Sequence, residues 1–110
     1  MAMNCPKCTS ETLSVTSVQG TDVDRCTVCG GIWFDEQELP RLLHVTPQEL
    51  TPLRGGAPQD DLNTKRGFCP RDGTSLLRIY SAQNSSVVLD TCTQCCGIWL
   101  DGGEFDRLLS

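Results

Sequence analysis

The residues of this chain best able to do chemistry are its eight cysteines, and their spacing says which chemistry. Cys5 and Cys8 form one Cys-x-x-Cys pair, and Cys26 and Cys29 form another. A second series follows: Cys69, then Asp72 where the first series has Cys8, then Cys92 and Cys95, with Cys96 directly after. Seven of the eight cysteines are in register between the two series. Two thiolates at a Cys-x-x-Cys turn can face one ion, and two such pairs complete the tetrahedron of a structural zinc site. Four thiolates also close the coordination sphere. Cys5, Cys8, Cys26 and Cys29 are therefore expected to hold structure and to leave no position for water or substrate.

The second set, Cys69, Asp72, Cys92 and Cys95, replaces one sulfur with a carboxylate oxygen, an acceptable zinc donor of similar reach. The expectation is that Asp72 is the fourth ligand. Two alternatives stand beside it: Asp72 only caps its turn while Cys96 or a water completes the sphere, or the second lobe is metal-free. Cys96 aligns with Gly30, outside the ligand register. A carboxylate exchanges more readily than a thiolate, so the second site is expected to be the weaker. Iron competes for four-thiolate sites. A redox iron centre favours an aromatic, water-poor surround, and one Tyr with three Phe supplies little of that. Two zinc ions are the expected cofactors, with a rubredoxin-like iron electron carrier as the third-ranked function.

Composition supports metal over disulfides. Each repeat of about 45 residues is too small to offset chain entropy with an apolar core alone, and aromatics are only 5%. Met1-Ala2-Met3-Asn4 leads directly into the first cysteine pair with no apolar leader segment, so a reducing cytoplasm is expected. No stretch approaches a membrane span of roughly 18 apolar residues. Net charge is −5, and thiolate binding of two zinc ions would take it to about −8. Such a chain gains little from phosphate contacts unless its basic residues cluster.

Other polar and aromatic positions read as structural. Asp35 with Glu38, and Asp101 with Glu104, have the spacing of helix caps with their box partners. Trp33 and Trp99 occupy equivalent positions and are expected to cover the ribbon and the helix start. His44 is unmatched in the second copy and expected to be inert. Arg54, Lys65, Arg66, Arg71 and Arg78 give the second half its basic density, expected to be solvated surface. No nucleophile, base and oxyanion set assembles, and there is no phosphate loop, so the chain reads as non-enzymatic.

The elements that must position these residues follow the same repeat. Thr12 to Gln19 and Val23 to Cys26 read as a hairpin turning at Gly20-Thr21-Asp22, with Leu13 and Val15 alternating against polar neighbours. Gly30-Gly31 lets backbone wrap the metal, Ile32-Trp33-Phe34 is a third strand, and Leu39, Leu42 and Leu43 stripe a short helix after Asp35. In the second copy the hairpin strands are Ser75 to Ser81 and Val87 to Asp90, with a helix striped by Phe105, Leu108 and Leu109. The interval from residue 72 to 92 exceeds that from 8 to 26 by two, which preserves facing. The expected domains are 1–45, a linker 46–66 with a possible short helix from Pro47 to Leu53, and 67–110. The fold class is small metal-stabilised α+β, two tandem ribbons each ending in a helix. Whether the lobes pack together stays open.

The pattern of a Cys-Pro knuckle, a hairpin, and then the run from Cys26 through Gly31, Ile32, Trp33, Asp35 and Glu38 resembles the bacterial TFIIB-type zinc-ribbon family. It recurs from Cys92 through Gly97, Ile98, Trp99, Asp101 and Glu104. The resemblance implies zinc ribbons with Cys5, Cys8, Cys26, Cys29, Cys69, Cys92 and Cys95 as ligands, while Asp72 departs from the family cysteine. The expected function is a zinc-binding, non-catalytic module for a protein partner. Nucleic-acid binding or transcription regulation is the alternative, and the acidic charge disfavours it.

Overall fold

Each copy of the repeat folds into three short strands, and in the computed structural model the two copies close into one sheet. Residues 4–8, 12–18, 20–36, 38–42, 48, 50, 67–80, 88–102 and 105 are described. The first copy contains β1 (Ser14–Val18), β2 (Thr21–Arg25), β3 (Ile32–Phe34) and helix α1 (Glu38–Leu42). The second contains β4 (Leu77–Tyr80), β5 (Val88–Thr91) and β6 (Ile98–Leu100). All six strands are antiparallel to their neighbours, in the order β1-β2-β3-β6-β5-β4.

The join is the β3–β6 ladder, which pairs Ile32 with Leu100, Trp33 with Trp99 and Phe34 with Ile98. This register runs the same tripeptide of each copy antiparallel to its counterpart with only the central residues directly opposite, so a pseudo-two-fold axis passes between the two tryptophans. A three-stranded ribbon leaves two edges with unpaired backbone groups. Here the β3 edge of one lobe satisfies the β6 edge of the other. The lobes are thus one folded unit.

Strand alternation sends the two faces of this sheet into different cores. One face presents Val18, Val23, Ile32, Phe34, Leu89 and Leu100 to Leu42, Leu50 and Phe105. Phe34 and Phe105 meet across the lobes with ring centroids 5.8 Å apart. The other face carries Trp33 and Trp99 among Leu13, Leu76 and the cysteines.

Several expectations shift by a residue or two. Val18 pairs with Thr21, so the first hairpin turns between these two residues, with Gly20 at φ 79°, and Thr21 and Asp22 lie within β2. Leu13 is buried as expected, but Val15 is 67% exposed, because β1 is an edge strand beyond the reach of the tryptophan cover. Leu77 and Ile79 are likewise exposed on the opposite edge, β4. The two extra residues of the second lobe are a net figure. The bridges Asn4 to Thr12 and Phe68 to Ser75 show one residue fewer before β4, which leaves three more for the hairpin.

Helix α1 starts at Glu38 and buries Leu42 completely. Pro40 sits in its first turn, where a missing N–H is tolerated. The helix expected after Asp101, apart from buried Phe105, lies outside the described residues, as do Leu43, His44, Arg54, Lys65, Arg66 and most of the helix expected from Pro47 to Leu53. Among the described residues, no helix is long and apolar enough to cross a membrane.

Candidate metal centres

Each metal constellation is built from two turns whose backbone amides point at sulfur. In the first knuckle the Cys8 amide donates to Cys5 Sγ at 3.2 Å, and in the second the Cys29 amide donates to Cys26 Sγ at 3.5 Å. The second knuckle is closed by Gly30 N to Cys26 O and Cys26 N to Gly31 O, both 2.9 Å. Gly30 takes φ 76°, which only a residue without Cβ adopts freely. The second lobe repeats this, with the Arg71 amide on Cys69 Sγ at 3.4 Å and the amides of Gln94 and Cys95 on Cys92 Sγ at 3.4 and 3.5 Å.

These turns bring all eight expected residues together. Cys5, Cys8, Cys26 and Cys29 form one group, and Cys69, Asp72, Cys92 and Cys95 the other, with the donor atoms of each within 4.8 Å of one another. For zinc–sulfur bonds of about 2.3 Å, the edge of a tetrahedron is about 3.8 Å. Cys5 and Cys29 sulfurs lie 3.8 Å apart, Cys8 and Cys26 3.9 Å, and Cys69 and Cys95 3.7 Å. Replacing one donor by oxygen shortens the edge to about 3.5 Å. The Asp72 oxygens stand 3.4 and 3.6 Å from Cys92 Sγ. A disulfide needs about 2.05 Å, and all eight cysteines are free thiols. The two donor sets fit two zinc ions.

Asp72 does both things the sequence allowed. Its Oδ1 accepts the Thr74 amide at 2.9 Å, which caps the turn, while the carboxylate remains in the donor set. Hydrogen bonds from Thr74 pull its carboxyl down to about 2, so it meets a cation already ionised. Four of the ligand thiols shift the other way. Burial, with Cys29 and Cys26 alongside, pushes Cys8 up to about 12, and burial does the same for Cys69. Hydrogen bonding with Cys5 and burial raise Cys29, and burial raises Cys95. For Cys92 burial acts upward, but the amides of Cys95 and Gln94 outweigh it and leave the thiol lowered. Asp72 is exposed and Cys95 half-buried, whereas three of the four first-site cysteines are buried. With a carboxylate donor and more solvent access, the second site is the weaker.

Cys96 lies outside both groups. It is exposed, with φ 64°, at the position where the first lobe has Gly30.

The two centres are connected by a reciprocal clasp. Lys7 sits between two ligands of the first lobe, fully buried, and its Nζ lies 3.2 Å from both oxygens of Asp101 and 3.3 Å from Asp90 Oδ2 in the second. Asp90 Oδ2 has no hydrogen bond of good angle, so that last contact is Coulombic. Arg71 sits between two ligands of the second lobe and grips Asp35 of the first, Nη2 to Oδ2 at 2.5 Å and Nε to Oδ1. The receiving carboxylates are held by the adjacent indoles: Trp33 Nε1 to Asp35 at 3.1 Å and Trp99 Nε1 to Asp101 at 3.0 Å.

This geometry corrects the cap reading in part. Glu38 accepts the Asp35 amide at 2.7 Å, as a capping box requires, but among the described residues the Asp35 side chain goes to Trp33 and Arg71. Trp33 and Trp99 are fully buried, and what each covers is the opposite lobe. Arg71 and Arg78 are not free surface cations, since Arg78 Nε reaches Asp90 at 3.5 Å. The sequence reading missed Lys7 and Asp90. The available signal was their equivalence to Arg71 and Asp24 in the other copy.

The family model described as transcription factor zinc-finger matches residues 4–45 and, a second time, 68–110. Comparison with curated proteins and with solved structures gave no match.

Proposed function

Because the chain belongs to the transcription factor zinc-finger family, we propose that it is a zinc-dependent, non-catalytic module that binds a partner protein. The observation that carries this reading is the pair of four-donor sets locked into one sheet by the clasp. Cys5, Cys8, Cys26 and Cys29 ligate one ion, and Cys69, Asp72, Cys92 and Cys95 the other. Filled tetrahedra offer no open position for catalysis, so the ions act as internal struts. Residues 1–45 and 67–110 form the two ribbons, each ending in a helix, with 46–66 as linker, and the chain works in a reducing cytoplasm.

A second reading, nucleic-acid binding, draws on the family's description. Charge speaks against it: the chain is at −5 before thiolates form, and Arg71 and Arg78 are already neutralised by Asp35 and Asp90. The zinc-loaded chain is expected to capture a specific protein from its native host, reconstituted afterwards with the purified partner, and to lose it on chelation. Gel shifts at low and moderate salt provide the opposing arm. Tight, salt-steep binding to DNA or RNA would reverse the order of the two readings.

A further inference from the structure

A cavity of about 360 Å³ opens where the first knuckles of the two lobes meet. Six of its lining residues come in repeat-related pairs, Asn4 with Phe68, Cys5 with Cys69 and Pro6 with Pro70, and Gly73 completes the wall. It therefore lies on the pseudo-two-fold axis, between the two metal centres. Gly67 packs against Pro6, where an added Cβ would lie 3.1 Å from the proline ring.

Charge and surface chemistry both select the occupant. Cys5 and Cys69 belong to the two donor sets, so opposite walls border centres whose four anionic donors outweigh the two charges of a zinc ion. The neighbouring cations do not cancel this, because Lys7 is turned to Asp90 and Asp101 and Arg71 to Asp35. Pro6 and Pro70 offer apolar rings without amide donors. Phe68 adds an aromatic ring that is 54% exposed, where the first lobe has Asn4. An anionic cavity with an aromatic face favours a cation carried on an apolar stem.

Building on the interaction-module reading, we infer that this cavity receives an arginine side chain from a basic segment of the partner protein. The aliphatic stem lies between Pro6 and Pro70, with the guanidinium against Phe68 and between the two centres. Arginine suits the site better than lysine because its planar, weakly hydrated head stacks on an aromatic face.

The test uses the full chain, ¹⁵N-labelled and loaded with two equivalents of zinc, titrated with N-acetyl-arginine methylamide. Saturable amide shifts centred on Asn4, Phe68 and Gly73 are expected, with Kd on the order of 1 mM. The citrulline analogue, equal in shape and uncharged, should bind at least about fivefold more weakly, and the lysine analogue should fall between. Phe68→Ala and Asn4→Lys, both at exposed positions, should each weaken arginine binding about threefold or more without disturbing the remaining spectrum. Equal shifts with citrulline, or shifts that neither variant reduces, would overturn the assignment. Partner capture undiminished by Phe68→Ala would leave the module reading standing and remove this pocket. Arginine shifts without any partner would do the reverse.

Discussion

Trp33 and Trp99 stand opposite each other on β3 and β6, and each indole fills the space that a side chain at the other lobe's glycine would need. A Cβ on Gly31 would lie 2.1 Å from Trp99 Cζ2, and one on Gly97 would lie 2.1 Å from Trp33 Cζ2. The glycine and tryptophan of the repeated Gly-Ile-Trp run are thus a lock between lobes, each copy supplying the cradle for the other's ring.

Gly31→Ala should therefore destabilise the zinc-loaded protein by about 3 kcal/mol or more, the upper end of core overpacking. Urea unfolding measures it. Trp99→Phe removes the indole atoms that the new methyl meets, so the double variant should recover part of the loss. A cost below about 1 kcal/mol, or no recovery, would contradict the lock.

The two halves of the clasp should differ in strength, because Lys7 is fully buried while the Arg71 side chain is 47% exposed. Lys7→Met strands two buried carboxylates and should cost about 3–5 kcal/mol, whereas Arg71→Gln should cost about 0–1 kcal/mol. Equal costs in denaturant unfolding would refute the asymmetry.

Both deficits should shrink on acidification, but in different pH windows. Burial raises the Asp101 carboxyl, with Lys7 opposing, so the folded state takes up protons there more readily than the unfolded chain. Its contribution weakens as pH rises through the interval between the ordinary and the raised value. Lys7→Met removes the opposing cation, so that variant should regain stability relative to wild type on acidification. Asp35 is lowered, chiefly by its hydrogen bond to Arg71. Its contribution is present above the ordinary carboxylate range and is lost as pH falls through the depressed value, so the deficit of Arg71→Gln should shrink only there. Following variant-minus-wild-type urea midpoints from pH 8 to 5 cancels the zinc loss common to both, and parallel curves would refute the scheme.

Chelator should strip one zinc equivalent before the other, the first from Cys69, Asp72, Cys92 and Cys95. Asp72→Cys should bring the two steps together, and cobalt substitution should show the added thiolate in its absorption. The ion at the first site displaces up to four thiol protons and that at the second up to three, since Asp72 is already ionised. Affinity at the first site should therefore fall more steeply per pH unit on acidification. Calorimetry in buffers of different ionisation enthalpy counts these protons. A single release step, or equal proton counts, would speak against the assigned donor sets.

Cys96 holds the left-handed conformation, φ 64°, that Gly30 holds at φ 76° in the first lobe. Cys96→Gly should relieve the Cβ crowding and stabilise the chain by about 1 kcal/mol, with two zinc ions still bound. Loss of zinc on this substitution would instead make Cys96 a ligand.

Much of the metal chemistry was legible because it is local. Cys-x-x-Cys turns place their sulfurs whatever the rest of the chain does, and the repeat register brought Asp72 into line with Cys8. The clasp was not legible in that way. Lys7 at a knuckle reads as a solvated lysine, and only contact with Asp90 and Asp101, more than eighty residues away, makes it a buried one. Asp35 and Glu38 satisfied a capping pattern, yet the carboxylate found a stronger partner in Arg71.

By itself the sequence determined two ribbons, their eight donors and the stretches from which the strands form, since ligand spacing and alternation act within about forty residues. Tertiary structure alone decided that β3 pairs with β6, that both tryptophans face inward together, and that each lobe's cation serves the other. A strand's residues say which side faces a core, but they do not say which free edge will meet it. That choice was made by two glycines too small to keep the opposite indoles out.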